Sequence, residues 1–307
     1  MKYRRLGSTG LNVSVIGVGT WQFGGEWGKT YAQDEADAIL SKAKELGINL
    51  IDTAECYGDH LSESLIGNYL RKDKREDWIL ATKFGHHYHG FVDRTDHWGA
   101  QEVLKQLDDS LKALATDYVD IYQFHSGGDE YFDNDDLWTA LDKQVQAGKI
   151  RHLGVSLGSN ENIHQTEAST RIKSEVIQLV YNRLDQKPER QVLPACQRQD
   201  LGVLAREPLA NGFLGGKYKP GAVFAANDWR SRGKNTDAAA EQLKRVQEIE
   251  RTELPEGVSL AAWSLAWCLK HPAVTAVIPG CKNVEHVISN AAAADLIDAG
   301  HPQDVSN

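Results

Sequence analysis

Eight short apolar runs, each followed by a stretch of helical spacing, recur along this chain at intervals of roughly 25–40 residues. The runs are Val15–Gly19, Leu50–Asp52, Trp78–Phe84, Val119–Ser126, Ile150–Ser156, Glu175–Asn182, Leu201–Glu207 and Val274–Pro279. Most are continuously apolar instead of alternating, which is the pattern of a parallel sheet covered on both faces. Helices are expected at Gln33–Leu46, Ser62–Leu70, Glu102–Leu114, Asp135–Ala147, Asn160–Ser169 and Glu189–Gln199. Three more are expected at Ala238–Thr252, Ser259–Lys270 and Val284–Ala294, after a long loop over Pro208–Thr236. In the first of the nine, Ala36, Ile39, Leu40 and Ala43 share one face. Eight such units in 307 residues predict one α/β domain over 1–307, a (β/α)8 TIM barrel. Tyr3–Leu6 and Leu11–Val15, joined by G-S-T-G, predict an N-terminal β-hairpin ahead of it.

A barrel of this kind carries its chemistry at the C-terminal strand ends. Four proton-handling groups fall there. N-L-I-D-T-A-E-C-Y (Asn49–Tyr57) puts Asp52 where the second run leaves the core and Tyr57 in the turn behind it. W-I-L-A-T-K-F carries Lys83 at its end, and V-D-I-Y-Q-F-H-S carries His125.

Composition narrows the partners. A net charge of −9 argues against nucleic acid and anionic membrane surfaces as main partners. The four cysteines, Cys56, Cys196, Cys268 and Cys281, show no CxxC, so a reduced, cytoplasmic protein is expected. Cys56 is expected to serve packing. The basic M-K-Y-R-R start precedes only a short, glycine-broken apolar run, so no signal peptide is expected. No run approaches the roughly 18 apolar residues of a membrane span. G-H-H-Y-H-G holds His86, His87 and His89 without a thiolate beside them, and no metal site is expected there.

Together, L-I-D-T-A-E-C-Y-G, I-L-A-T-K-F-G and I-Y-Q-F-H-S resemble the aldo-keto reductases. The likeness runs from V-I-G-V-G-T-W to the late V-T-A-V-I-P-G. It implies hydride transfer between a nicotinamide cofactor and a carbonyl or alcohol, with Asp52, Tyr57, Lys83 and His125 as the catalytic groups. Tyr57 would be general acid for reduction and base for the reverse. Lys83 would favour its phenolate, Asp52 would hold Lys83, and His125 would orient the carbonyl oxygen. A free tyrosine titrates near pH 10. An ammonium about 4 Å away contributes roughly 4 kcal/mol at an effective dielectric of 20. With Asp52 offsetting part of that field, the pKa of Tyr57 is expected to fall by about one to two units.

No Rossmann or Walker fingerprint is present: G-V-G-T-W-Q lacks a third glycine, and N-G-F-L-G-G-K-Y has the wrong spacing. The resemblance implies instead that the dinucleotide lies across the barrel mouth. Ser156 and Gln178 would hold the carboxamide, near Gly19, Thr20, Trp21 and Asp52, with Arg206 under the ring. Leu209–Lys217, with Asn211 and Gly212, would fold over the pyrophosphate. Gly280, Lys282, His286 and Asn290 would hold the adenosine end, where a helix N-terminus offers an anion site. Lys282 and His286 would meet a 2′-phosphate, so NADP is expected in preference to NAD. Alternation along the seventh strand is expected to turn Glu207 away from Arg206. The unpaired guanidinium would then favour NADPH over NADP⁺ by about fivefold.

Trp21, Trp27 and Tyr88 are expected to wall a substrate pocket with Tyr57 and His125, while Trp138, Trp263 and Trp267 are expected in the core. Two other functions fit the same fold: a lyase using Lys83 as a Schiff base, and a non-catalytic nucleotide-binding regulatory subunit. Neither a substrate nor an oligomeric state is legible in the loops Gly24–Thr30, Gly85–Trp98, Gly127–Asn134 and Val223–Gly233.

Overall fold

The structure, a computed structural model, describes residues 1–219, 221–232 and 236–305. Parts of the predicted loops Pro208–Thr236 and Val223–Gly233, and the last two residues of the predicted domain, lie outside the described residues. Eight strands form one parallel sheet in sequential order: β1 (Val18–Gly19), β2 (Leu50–Asp52), β3 (Ile79–Phe84), β4 (Val119–His125), β5 (Ile150–Ser156), β6 (Ser174–Val180), β7 (Gly202–Arg206) and β8 (Ala276–Val277). The sheet closes on itself through parallel bridges from Ile16 to Val277 and from Gly19 to Gly280. The amide of Gly17 donates to the Val277 carbonyl at 2.8 Å, and that of Val277 to Val15 at 3.0 Å. Closure pairs the two edges that an open sheet would expose.

Two layers of apolar side chains hold the barrel. Inside, Leu50, Ala81, Ile121, Val176, Leu204 and Ala276 come from six different strands and pack with Leu6 and Val13. Leu6 and Val13 belong to the N-terminal hairpin, Tyr3–Arg5 against Asn12–Ser14. Its turn presses Gly7 against Gly202 at the start of β7, so the hairpin plugs the end opposite the site. Outside, the helices pack on the strands: α1 (Gln33–Glu45), α2 (Leu61–Leu70), α3 (Ala100–Ala113), α4 (Asp135–Gln146), α5 (Ile163–Glu167), α6 (Val192–Arg198), α7 (Thr236–Thr252), α8 (Leu260–Leu269) and α9 (Val284–Ala291). Helix α1 buries Ala36, Ile39, Leu40 and Ala43, the face its spacing predicts. Trp138 is buried, whereas Trp263 and Trp267 are only partly so and lie at the edge of the packing. None of the described helices is long and apolar enough to cross a membrane.

The departures from expectation are local. The loop after β3 forms an antiparallel hairpin, His86–Gly90 against Asp93–Asp96, which is polar on both faces and so shows no alternation. Helix α5 starts later than expected, because the Asn162 side chain accepts from the Gln165 amide at 3.0 Å and caps it there. β1 and β8 shrink to two residues each, since closure at that seam runs through single bridges.

Candidate active site

Parallel register brings the strand-end groups to one level. Gly19 lies opposite Asp52, Lys83 opposite Gln123, His125 opposite Ser156, and Ser156 opposite Gln178. Lys83 is 1% exposed, so its ammonium has to be satisfied by protein. Its Nζ donates to Asp52 Oδ2 at 2.7 Å and to the Thr53 carbonyl at 2.7 Å, and lies 3.3 Å from the Tyr57 hydroxyl. The other oxygen of Asp52 accepts from Gln178 Nε2 at 2.7 Å and Gln123 Nε2 at 3.2 Å. Burial pulls the Lys83 pKa down, but Asp52 and Tyr57 outweigh it and hold the pKa above the ordinary lysine value. An amine kept as an ammonium cannot attack a carbonyl, which disfavours the Schiff-base lyase.

Tyr57 departs from expectation. Burial pushes its pKa up to about 12, against the pull of Lys83 and with a further push from Asp52 and Cys56. The expected fall weighed Lys83 against a solvated phenol; desolvation of the phenolate is the larger effect here. The phenol is therefore protonated at neutral pH, the state an acid needs. His125 is driven well below its ordinary value by burial, reinforced by His86 and Lys83, and is a neutral imidazole. Its ring stands edge-on to Tyr57 with centroids 6.2 Å apart.

Asp52, Tyr57 and His125 open onto a cavity of about 480 Å³, within the range of small-molecule sites. Gly19, Thr20, Trp21 and Trp27 share its wall, and Trp21 stacks on Tyr57 at 6.1 Å. Gln178, Arg206, Leu209, Asn211, Gly212 and Lys217 continue it, and Gly280, Lys282, His286 and Asn290 form its far end. Lys83 and Ser156 are not among its lining residues; Ser156 is buried behind Gln178, with Oγ 3.5 Å from Gln178 Oε1. Tyr88 is not among them either. It sits on the polar hairpin, its ring 5.9 Å from the Arg94 guanidinium.

The far end is basic although the chain is acidic. Lys282 Nζ donates to the Trp27 carbonyl at 3.0 Å, and burial lowers its pKa, with Arg230, Lys217 and Lys29 adding to the fall and Asp228 opposing it. His286 is lowered by burial and then by Lys282 and Lys217. Helix α9 begins here, with the Asn283 side chain accepting from the His286 amide at 2.9 Å. Across the cavity, Asn211 (φ 58°) and Gly212 (φ 90°) make a left-handed turn that presents the Asn211 carbonyl to Arg230 Nη1 at 3.0 Å.

Glu207 does not turn away from Arg206. β7 ends at Arg206, and Glu207 takes a left-handed φ of 51°, so strand alternation no longer applies. Arg206 Nη1 meets Glu207 Oε1 at 2.6 Å, and Nη2 donates to the Leu157 carbonyl at 3.1 Å. The guanidinium is paired.

Arg230 in the wall, and Glu26, Asp228 and Trp229 behind it, escaped the sequence. Glu26, 1% exposed, accepts from Trp21 Nε1 at 2.7 Å and the Val92 amide at 2.8 Å and pairs with Arg94. It ties Trp21 to the polar hairpin. Trp27 bridges Asp228, Trp229 stacks on Trp21 at 5.3 Å, and Arg230 pairs with Asp228 at 2.6 Å. The only local hints were the aromatic residues in G-G-E-W and N-D-W-R.

Known proteins are similar to this chain in sequence and fold. The model of the aldo/keto reductase family matches residues 15–299. An uncharacterized oxidoreductase of Bacillus subtilis, YrpG, is 31% identical, with 96% of this chain and 92% of the relative covered. The aldo-keto reductase yakc [NADP(+)] of Schizosaccharomyces pombe is 29% identical, covering 94% and 85%. Among solved structures, glycerol dehydrogenase from Gluconobacter oxydans superimposes with a TM-score of 0.82 at 27% identity, covering 95% of this chain and 90% of that one. With a family match over nearly the whole barrel and a similar fold throughout, this chain belongs to the aldo/keto reductase family, a family of oxidoreductases.

Proposed function

We propose that this protein reduces a carbonyl compound, or oxidises the corresponding alcohol, with NADP(H) as hydride carrier. One observation carries the reading: a single cavity runs from the Tyr57–Lys83–Asp52 array to the basic end at Lys282 and His286. Those residues fit the cofactor, because Lys282 and Lys217 bring positive charge to His286 in the first turn of α9, whose N-terminus stabilises a phosphate. When bound, NADPH supplies the hydride. Gln178, already oriented by Asp52 and Gln123, would hold the carboxamide. Tyr57 donates its proton to the substrate oxygen as negative charge develops there. Lys83, 3.3 Å away, stabilises the phenolate left behind, and Asp52 keeps Lys83 charged and aimed. Neutral His125 orients the carbonyl oxygen, and Trp21, Trp27 and Trp229 keep water from the reacting face.

The test is a fluorescence titration with NADPH and NADH. Lys282→Ala is expected to weaken NADPH by roughly tenfold to a hundredfold and NADH little, since a charged hydrogen bond contributes roughly 1.5–3 kcal/mol. His286, lowered in the free protein, regains its proton when a phosphate dianion sits beside it. Preference for NADPH over NADH should therefore rise as pH falls from 8 to 6. Equal losses for both cofactors, or a pH-independent preference, would move the anion site elsewhere.

The Arg206–Glu207 pair sets a second expectation. With its charge matched, Arg206 leaves NADPH and NADP⁺ bound about equally. Glu207→Gln frees the guanidinium and is expected to weaken NADP⁺ relative to NADPH by about fivefold. An unchanged ratio of dissociation constants would place Arg206 away from the nicotinamide.

A further inference from the structure

In and behind one wall of the cavity lie groups that the reduction chemistry leaves idle. Glu55 and Cys56, in the turn behind β2, are 3% and 2% exposed. One carboxylate oxygen of Glu55 accepts from the His86 amide at 3.0 Å; the other has no hydrogen-bond partner among the described residues. A buried carboxylate oxygen without a donor is unusual and needs a reason. The Cys56 sulfur lies 3.7 Å from Nδ1 of His125. One oxygen of Glu55, the Cys56 sulfur and a ring nitrogen of His125 all fall within 4.8 Å of one another.

We propose that Glu55, Cys56 and His125 form a site for a borderline-soft divalent cation of the zinc class, and that its occupation inhibits the enzyme. The Cys56 thiol and the Glu55 carboxyl release their protons to solvent as the ion binds. The thiolate, carboxylate and imidazole are donor types that zinc takes, and three protein ligands leave a fourth position for water. A tetrahedral ion at ordinary Zn–S and Zn–N lengths would separate sulfur and nitrogen by about 3.6 Å, close to the spacing present without it. Cys56 and His125 line the cavity, which gives the ion a way in. The nearest cations are already engaged, Lys83 by Asp52 and Arg94 by Glu26. A bound ion would take Nδ1 of His125 and put its charge and its own water at the cavity wall that Cys56 and His125 share with Tyr57, in competition with the carbonyl oxygen. Metal binding at the site is independent of the reductase reading, and the inhibition rests on that reading.

Cobalt(II) is the probe, added to chelator-treated protein without cofactor or substrate. The expected result is one equivalent bound, with thiolate-to-cobalt charge-transfer absorption. Cys56→Ser should abolish that absorption, and Glu55→Gln should weaken binding by about tenfold or more. His87, His89 and the half-buried His97 carry no sulfur and cannot give the band, and the other cysteines join no such cluster among the described residues. In turnover, zinc should inhibit the wild type and inhibit Cys56→Ser far less, each compared with its own metal-free rate. Absence of the band in the wild type, its persistence in Cys56→Ser, or unchanged affinity in Glu55→Gln would overturn the site.

Discussion

Tyr57→Phe is expected to lower carbonyl reduction by about a hundredfold or more, the usual loss with a general acid, while NADPH binding stays close to that of the wild type. The hydroxyl lies 3.3 Å from the Lys83 ammonium and has no hydrogen bond to Lys282, His286 or Lys217, so its removal should spare the cofactor. The pH dependence gives the same group a second signature. With a pKa pushed up to about 12, the phenol is protonated across the working range. Reduction should therefore be flat from neutral pH to about 10 and fall only as pH rises through 12. Alcohol oxidation needs the phenolate and should climb about tenfold per pH unit over the same range. A bound oxidised cofactor, being cationic, would move that climb to lower pH without changing its direction. Near-normal reduction by Tyr57→Phe, measured as NADPH consumption, would remove Tyr57 from the mechanism.

Lys83→Met should cost both activity and fold. It deletes the partner of a carboxylate that is 4% exposed. Breaking a buried pair from one side typically costs about 3–5 kcal/mol, because the remaining charge is left uncompensated. The two amides on Asp52, from Gln178 and Gln123, hold the loss towards the lower end of that range. Urea unfolding measures it directly. Adding Asp52→Asn to Lys83→Met should recover a large part, since removing both charges leaves nothing unpaired. Strict additivity of the two single changes would mean that Asp52 and Lys83 are not energetically coupled. Turnover should stay low in both the single and the double variant, as neither retains the ammonium beside Tyr57.

The four groups of the array were readable because each lies in or just behind an apolar run, and a barrel brings all such ends to one rim. Their electrostatics were less so. Tyr57 titrates high because the rim is drier than a strand-end turn implies, and burial is a property of what packs over a residue. Glu207 pairs with Arg206 because β7 stops one residue earlier than the apolar run, at a left-handed backbone position. Tyr88 misses the cavity because the stretch that carries it folds into a polar hairpin with no periodic signal.

What the chain determines by itself is therefore the order of strands and helices, the closed barrel they imply, and the residues delivered to its mouth. Period-two and period-3.6 patterns are set by near neighbours and survive reading in one dimension. Only the tertiary structure decides how the mouth is walled. Glu26 meets Val92 and Arg94, Trp27 meets Asp228, and Asn211 meets Arg230 across separations that no local pattern encodes. Those contacts exist because closing the ring brings the loops of distant strands together, and there buried polar groups must find partners wherever the chain has placed them.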